Sequence, residues 1–423
     1  MWLKAGELAI ARAGHQEGLA HLERGLTLLK DEPNSAERAE IELSYQMNIG
    51  SANNVLRGWS AAEVKVAYGR ARELVNDLTD RTHGVNALLG LFYYYLVAGD
   101  VNASTPIIEE AAELAEAGGI SDQIIVAQQA RGQNYLYRGH FGEAAKCFEA
   151  SLSRYDRDKH AYLSNVWGGD FFAYDYSFLA MCYWHLGRMR EAQQAIQKSI
   201  EHVDTFDDPV IHTVGYILNA VASVILRAWE DVHTYASSSE ETAKSFGMAF
   251  QIMFCPVLRG CAMALKNGDP EGHVLMKTHL DMLAANGIGW VTPWLRTQLV
   301  LSHVIRGETD LAEQELERVR REASALGENW VIGLFDIAEA EICKGKEDFQ
   351  GAEEWLLQAI TFARQQPSKG VELRAATSLA RLWRDQGKRS EAYDLLAPIY
   401  DWFTEGFDTT DLIEAKSLLD ELN

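Results

Sequence analysis

The residues best equipped for chemistry are scattered along this chain. Twelve histidines and five cysteines are spread over 423 residues. The nearest approach to metal-ligand spacing is His273 and His279, six residues apart, which a helix turns towards different sides. Zinc needs several convergent ligands, so both histidines are expected to be hydrogen-bonded or solvent-facing. No H-E-x-x-H, G-x-S-x-G, G-x-x-x-x-G-K-[ST] or Gly-rich dinucleotide fingerprint occurs. Asp207 and Asp208 precede Pro209, as at a turn followed by a helix start. The pairs Glu109–Glu110 and Glu353–Glu354 lie in helical stretches and read as solvated faces. Cys147, Cys182, Cys255, Cys261 and Cys343 form no C-x-x-C pair and read as reduced core residues of a cytosolic protein. No catalytic residue, metal or cofactor is expected, and attention moves to the elements themselves.

Those elements repeat. Small side chains recur every 40 residues at Ala192, Val232, Gly272, Ala312, Ala352 and Ala392. A second column lies twelve residues earlier, at Ala180, Ala220, Gly260, Val300, Ala340 and Ala380. Turn residues keep the same interval at Gly247, Gly287 and Gly327, with Pro367 next. A fixed period of this size is the mark of stacked repeats, each of which packs on its neighbours. The reading is a pair of helices per repeat, with small residues letting the two cross closely.

Within Gln128–Tyr155, Gly132 and Tyr135 fall on the first helix, Gly139 in the turn, and Ala144 and Phe148 on the second. The frame fits again at Gly6, Gly18, Leu22 and Gly25, and at Ala380, Trp383, Gly387, Ala392 and Leu396. This order of residues resembles the tetratricopeptide repeat. The resemblance implies an all-α, right-handed solenoid of about ten helix pairs over residues 1–423. It also implies a concave groove lined by the first helix of each pair. Carried over position by position, the groove residues are Phe92 and Tyr95, Gln129 and Gln133, then Ser177 and Trp184. Flat aromatics and amides together suit a peptide or helix partner.

The interval from Ala144 to Ala192 is 48 residues, which places a non-repeat insertion at 153–176. Insertions in solenoids form loops, often on the binding face, so Trp167 and Asp170, flanking Gly168 and Gly169, are further binding candidates. Residues 395–423 end in an apolar stripe, Leu412, Ala415, Leu418, Leu419 and Leu422, with acidic outer residues, and read as capping helices.

The tail from Ala375 to Leu422, AATSLARLWRDQGKRSEAYDLLAPIYDWFTEGFDTTDLIEAKSLLDEL, carries a narrower resemblance. So do Trp2–Leu29, Gly58–Val75 and Arg154–Leu163. Together they are similar to the repeat region of bacterial signalling proteins that join a class III adenylate/guanylate cyclase, a STAND-type ATPase and a tetratricopeptide solenoid. The resemblance implies a regulatory module acting with cyclase and ATPase domains, in cis or in trans. Helical patterning begins at Trp2 without a capping residue, so a longer parent protein is expected.

Charge narrows the partners. A formal charge of −22 opposes generic contact with nucleic acid or anionic membranes. The longest apolar helical run, Val214–Leu226, is interrupted by Asn219 and Ser223, so no membrane span is expected and a cytoplasmic location is. A protein or peptide partner, or a small ligand, is expected. The alternatives are a scaffold for homo-oligomers or complexes, and the sensor of a STAND-type transcription regulator.

Overall fold

The computed structural model describes residues 1–423 except Ala13, Thr79 and Gly168 and the side chains of Ala11, His83 and Asn165. Gly168 of the 153–176 segment therefore lies outside the described residues. Among the described residues every regular element is helical. The helices form two compact units, residues 1–134 with 284–290, and residues 135–283 with 291–423.

The first unit contains α1 (Trp2–Ala11), α2 (His15–Leu29), α3 (Ala36–Arg57), α4 (Ala62–Val75), α5 (Val85–Val97), α6 (Val101–Gly118) and most of α7 (Ser121–Tyr137). Gly6 and Gly18 lie at the α1–α2 crossing, where a Cβ on Gly18 would meet the Gly6 carbonyl oxygen at 3.0 Å. The segment 284–290 joins this unit through Val97, whose carbonyl accepts from the Gly289 and Trp290 amides at 2.9 and 3.1 Å.

The second unit opens with α8 (Phe141–Arg154), followed by two short helices, α9 (Arg157–His160) and α10 (Leu163–Trp167). Regular hairpins follow: α11 (Phe171–His185) with α12 (Met189–Val203), α13 (Pro209–Ile225) with α14 (Trp229–Phe246), and α15 (Ala249–Asn267) with α16 (Pro270–Ala285). Then come α17 (Thr292–Ile305) with α18 (Thr309–Leu326), α19 (Ile332–Gly345) with α20 (Phe349–Gln365), and α21 (Lys369–Asp385) with α22 (Arg389–Tyr400). The chain ends in α23 (Thr410–Leu422).

Both small-residue columns are buried, and this explains the period. At the α15–α16 crossing a Cβ on Gly260 would meet the Gly272 carbonyl oxygen at 2.7 Å and the Met276 amide nitrogen at 2.9 Å. Backbone cannot yield as a flexible side chain can, so this contact requires glycine. The turns between paired helices use left-handed residues: Gly187, Arg227, Gly307, Glu347 and Gly387, spaced by 40 residues or, past the α15–α16 turn, by 80, all have positive φ. Two of these five are not glycine.

Two sequence expectations change. Trp383, one of the positions of the repeat frame, is half-buried rather than part of the core, with Lys388 Nζ 6.0 Å from its ring centre. Among the described residues, the one helix long and apolar enough to cross a membrane by length and composition is α15, not the run at Val214–Leu226. Half of its apolar window is buried, and Arg259 on it pairs with Glu240 at 2.6 Å.

Candidate functional site

The first helices of successive hairpins in the second unit enclose a cavity of about 300 Å³. Its floor is aliphatic and aromatic: Val224 and Ile225 from α13, Leu265 from α15, Trp294, Leu301 and Val304 from α17, and Leu334 and Ile337 from α19. Of these side chains Leu265, Leu301, Val304, Leu334 and Ile337 stay partly exposed. Gln298, Thr297, Thr377 and Ser378 place amide and hydroxyl groups among them.

One edge is ionic. Asp411, in the first turn of α23, lies on the cavity wall yet is buried. Arg374 on α21 donates to it from Nε to Oδ1 at 2.8 Å and from Nη2 to Oδ2 at 2.9 Å. The Trp184 indole N–H donates to Oδ2 at 2.9 Å. Arg227 donates to both carboxylate oxygens of Glu414, at 2.9 and 2.8 Å. Paired forks of this kind fix geometry as well as charge. Burial pushes the Asp411 carboxyl up, but Arg374, Arg227 and the indole outweigh it and hold it below the ordinary range. Arg381 is the least engaged cation, 3.9 Å from Glu414 and with 42% of its side chain exposed.

The expected groove residues fall elsewhere. In the first unit Phe92 is fully buried, and Gln129 accepts the Tyr93 hydroxyl at 2.7 Å beneath the surface. Gln133 is buried, and Tyr95 is half-buried under Lys65, whose Nζ lies 5.3 Å from the ring. In the second unit Ser177 is buried against Ser199 at 3.1 Å, and Trp184 is 1% exposed against Asp411 and Arg374. Trp167 is half-buried at the end of α10. Asp170 caps α11, accepting from the Ala173 amide at 3.1 Å and from the Tyr155 hydroxyl at 2.5 Å, with His202 Nε2 3.0 Å away. Most of these side chains meet local packing and hydrogen-bonding needs. Their columns nonetheless lead to the cavity: steps of 40 residues from Ser177 reach Thr297, Ile337 and Thr377, and from Trp184 reach Val224 and Val304.

Among the described residues the structure also assembles one possible metal-ligand group, His273, His303 and Glu308. His279 is bonded to the Met253 carbonyl at 3.1 Å and His273 to the Ser302 hydroxyl at 3.0 Å, the hydrogen-bonded state expected of both, and His273 also stands beside His303 and Glu308.

The tetratricopeptide repeat family model matches residues 176–201, which span most of α11 and α12. A solved Rap protein in complex with Competence and Sporulation Factor superposes with a TM-score of 0.58, at 12% identity, over 92% of this chain and 100% of that one. The fold is a tetratricopeptide-like α-solenoid. Looser likenesses include aspartyl phosphate phosphatase F from Bacillus subtilis, with a TM-score of 0.43, 12% identity and coverage of 88% and 94%. A STAND protein with a tetratricopeptide repeat sensor from Pyrococcus horikoshii gives a TM-score of 0.41, 14% identity and coverage of 88% of this chain and 57% of that one. No curated protein matches the sequence. In this solenoid the cavity lies on the first helices of the hairpins.

Proposed function

We propose that the chain is a non-catalytic binding and regulatory module, and that the second unit's cavity receives a short peptide or a segment of a partner protein. The observation that supports this is an accessible apolar floor edged by arginines. Apolar side chains of the ligand would cover Leu301, Val304, Leu334 and Ile337, and a carboxylate would meet Arg381 and its neighbours. The Rap protein of the same fold was crystallised with Competence and Sporulation Factor, which agrees with a ligand-receiving role.

Regulation requires that the ligand favour one arrangement of the helices. A ligand carboxylate competing with Asp411 or Glu414 for the arginines would weaken the attachment of α23 and so supply that preference. The resemblance of the tail to cyclase–STAND signalling proteins suggests that such domains receive the signal.

The test is selection of peptides on the immobilised chain, followed by calorimetric titration of the winners. Ligands of this cavity lose affinity in Arg381→Glu and in Thr297→Trp, and keep it in Arg321→Ala, a change on an exposed part of α18. Peptides that bind all three variants equally would refute the assignment. A chain that selects no peptide but changes mass with concentration would favour the scaffold reading.

A further inference from the structure

The first turn of α16, the end of α17 and the N-terminus of α18 converge on His273, His303 and Glu308. One ligand atom from each lies within 4.8 Å of the others. Both histidines are buried, while the Glu308 side chain is 31% exposed and supplies the water-facing side. The rings meet edge to face with centroids 4.5 Å apart. His273 Nδ1 lies 3.0 Å from the Ser302 hydroxyl, and His303 Nδ1 lies 2.8 Å from Glu308 Oε2. Arg306 donates to the other carboxylate oxygen, Oε1, at 3.1 and 2.9 Å, which orients the carboxylate with Oε2 towards His303.

The repeat shows that packing alone does not demand this group. One step of 40 residues onward the same positions are Glu313, Cys343 and Asp348, and two steps onward they are Glu353, Trp383 and Lys388. Those seams are bridged by ion pairs, Lys346 to Glu313 at 2.6 Å and Lys388 to Glu353 at 3.4 Å. At the α16–α17–α18 seam two buried imidazoles and a carboxylate stand instead.

We propose that His273, His303 and Glu308 bind one divalent transition-metal ion, of the zinc class. Two neutral imidazoles and a carboxylate are a ligand set that zinc accepts, with a fourth position left to water. Bonds of about 2.0–2.1 Å place tetrahedral ligand atoms roughly 3.3 Å apart, so the group needs only small side-chain rotations to close. Coordination through His303 Nδ1 puts its ring proton on Nε2, and Ser302 holds the His273 ring from outside the coordination sphere. The ion would tie three successive helices together.

The full-length chain, stripped with chelator and dialysed, is titrated with zinc chloride in competition with a chromophoric chelator, and unfolding is followed with zinc or magnesium present. One equivalent of zinc binds, and zinc but not magnesium raises the Tm. Glu308→Gln, at a partly exposed position, keeps the fold in chelator and weakens zinc by about tenfold or more. His303→Gln abolishes uptake, whereas Cys343→Ser leaves it intact. Cobalt(II) added in place of zinc gives visible absorption of a four-coordinate site that disappears in Glu308→Gln. The proposal is overturned if zinc does not move the Tm, or if Glu308→Gln binds zinc as the parent does.

Discussion

Trp184 and Val304 occupy the same place in their helices, three steps of 40 residues apart, yet they have different surroundings. Trp184 is buried between Arg374, Gly370 and Asp411, whereas Val304 looks into the cavity. The cause lies far along the chain. Helix α21 packs on α11, and α23 brings Asp411 to the indole from 227 residues away. A repeat position thus decides which face of a helix a residue occupies. Whether that face is open depends on which later element returns to cover it.

The strongest way to break this contrast is to remove the anion that holds the covered end. Asp411→Ala leaves Arg374 without its buried partner and the Trp184 indole without an acceptor. Breaking a buried pair in this way costs about 3–5 kcal/mol. Denaturant unfolding measures the loss, and a change in tryptophan emission should accompany it. Next comes the matched pair of truncations. Trp184→Ala should cost about 3–5 kcal/mol and Val304→Ala only about 1 kcal/mol, since the second side chain already borders open space. Equal costs would mean that the two positions are equally covered and that the contrast is false.

The repeat period and both small-residue columns were legible in the sequence because close helix crossing leaves few choices at those positions. Gly260 and Gly272 are the clearest case, since backbone stands where a Cβ would be. The groove residues expected from the repeat frame run only as far as Trp184, which later elements cover. Continuing to Thr297, Val304, Ile337 and Thr377 reaches the cavity. What no local pattern could reveal is the return of Asp411 to Arg374 and Trp184, because that contact depends on how the hairpins accumulate. The cluster of His273, His303 and Glu308 was hidden for a milder reason. Spacing within one helix does not report it, whereas the second helix of one repeat set beside the next repeat does.

A second covered seam sharpens the comparison through pH. The Tyr137 carbonyl accepts from the Asn329 and Trp330 amides at 2.9 and 3.2 Å, and Glu328 is buried beside them. Burial raises the Glu328 carboxyl to about 8, the reverse of the net effect on Asp411. Between the unfolded value near 4.5 and 8, the native chain keeps a proton that the unfolded chain has released. Stability contributed by this group therefore falls as pH rises through that window, and levels off above 8. Asp411 acts in the opposite sense, since its stabilisation is present above the unfolded value of 3.8 and is lost on acidification through its lower folded value. Glu328→Gln should flatten the decline between pH 4.5 and 8 and stabilise the chain at pH about 9 by on the order of 3 kcal/mol. Parallel stability–pH curves for parent and variant would show that Glu328 is ionised in the native state.

The smallest effect belongs to Arg227, which joins the open and covered regions. Its turn position is glycine in Gly187, Gly307 and Gly387, all left-handed, and Arg227 adopts the same conformation with φ +58°. A side chain there costs about 1–2 kcal/mol of backbone strain. The strain is retained alongside a bidentate pair to Glu414 and a 3.5 Å contact with Asp411 on the cavity edge. Arg227→Gly relieves the strain and removes the pairs, so opposing terms of similar size leave net stability within about 1 kcal/mol of the parent. The ligand readout should not cancel in this way. Glycine leaves Glu414 without its main cation, and the freed carboxylate then draws on Arg381, the cation offered to a ligand. Carboxylate-bearing peptides should bind Arg227→Gly more weakly although the fold is as stable. A loss of stability with unchanged affinity would instead make Arg227 a clamp for α23 and leave the ligand to other groups.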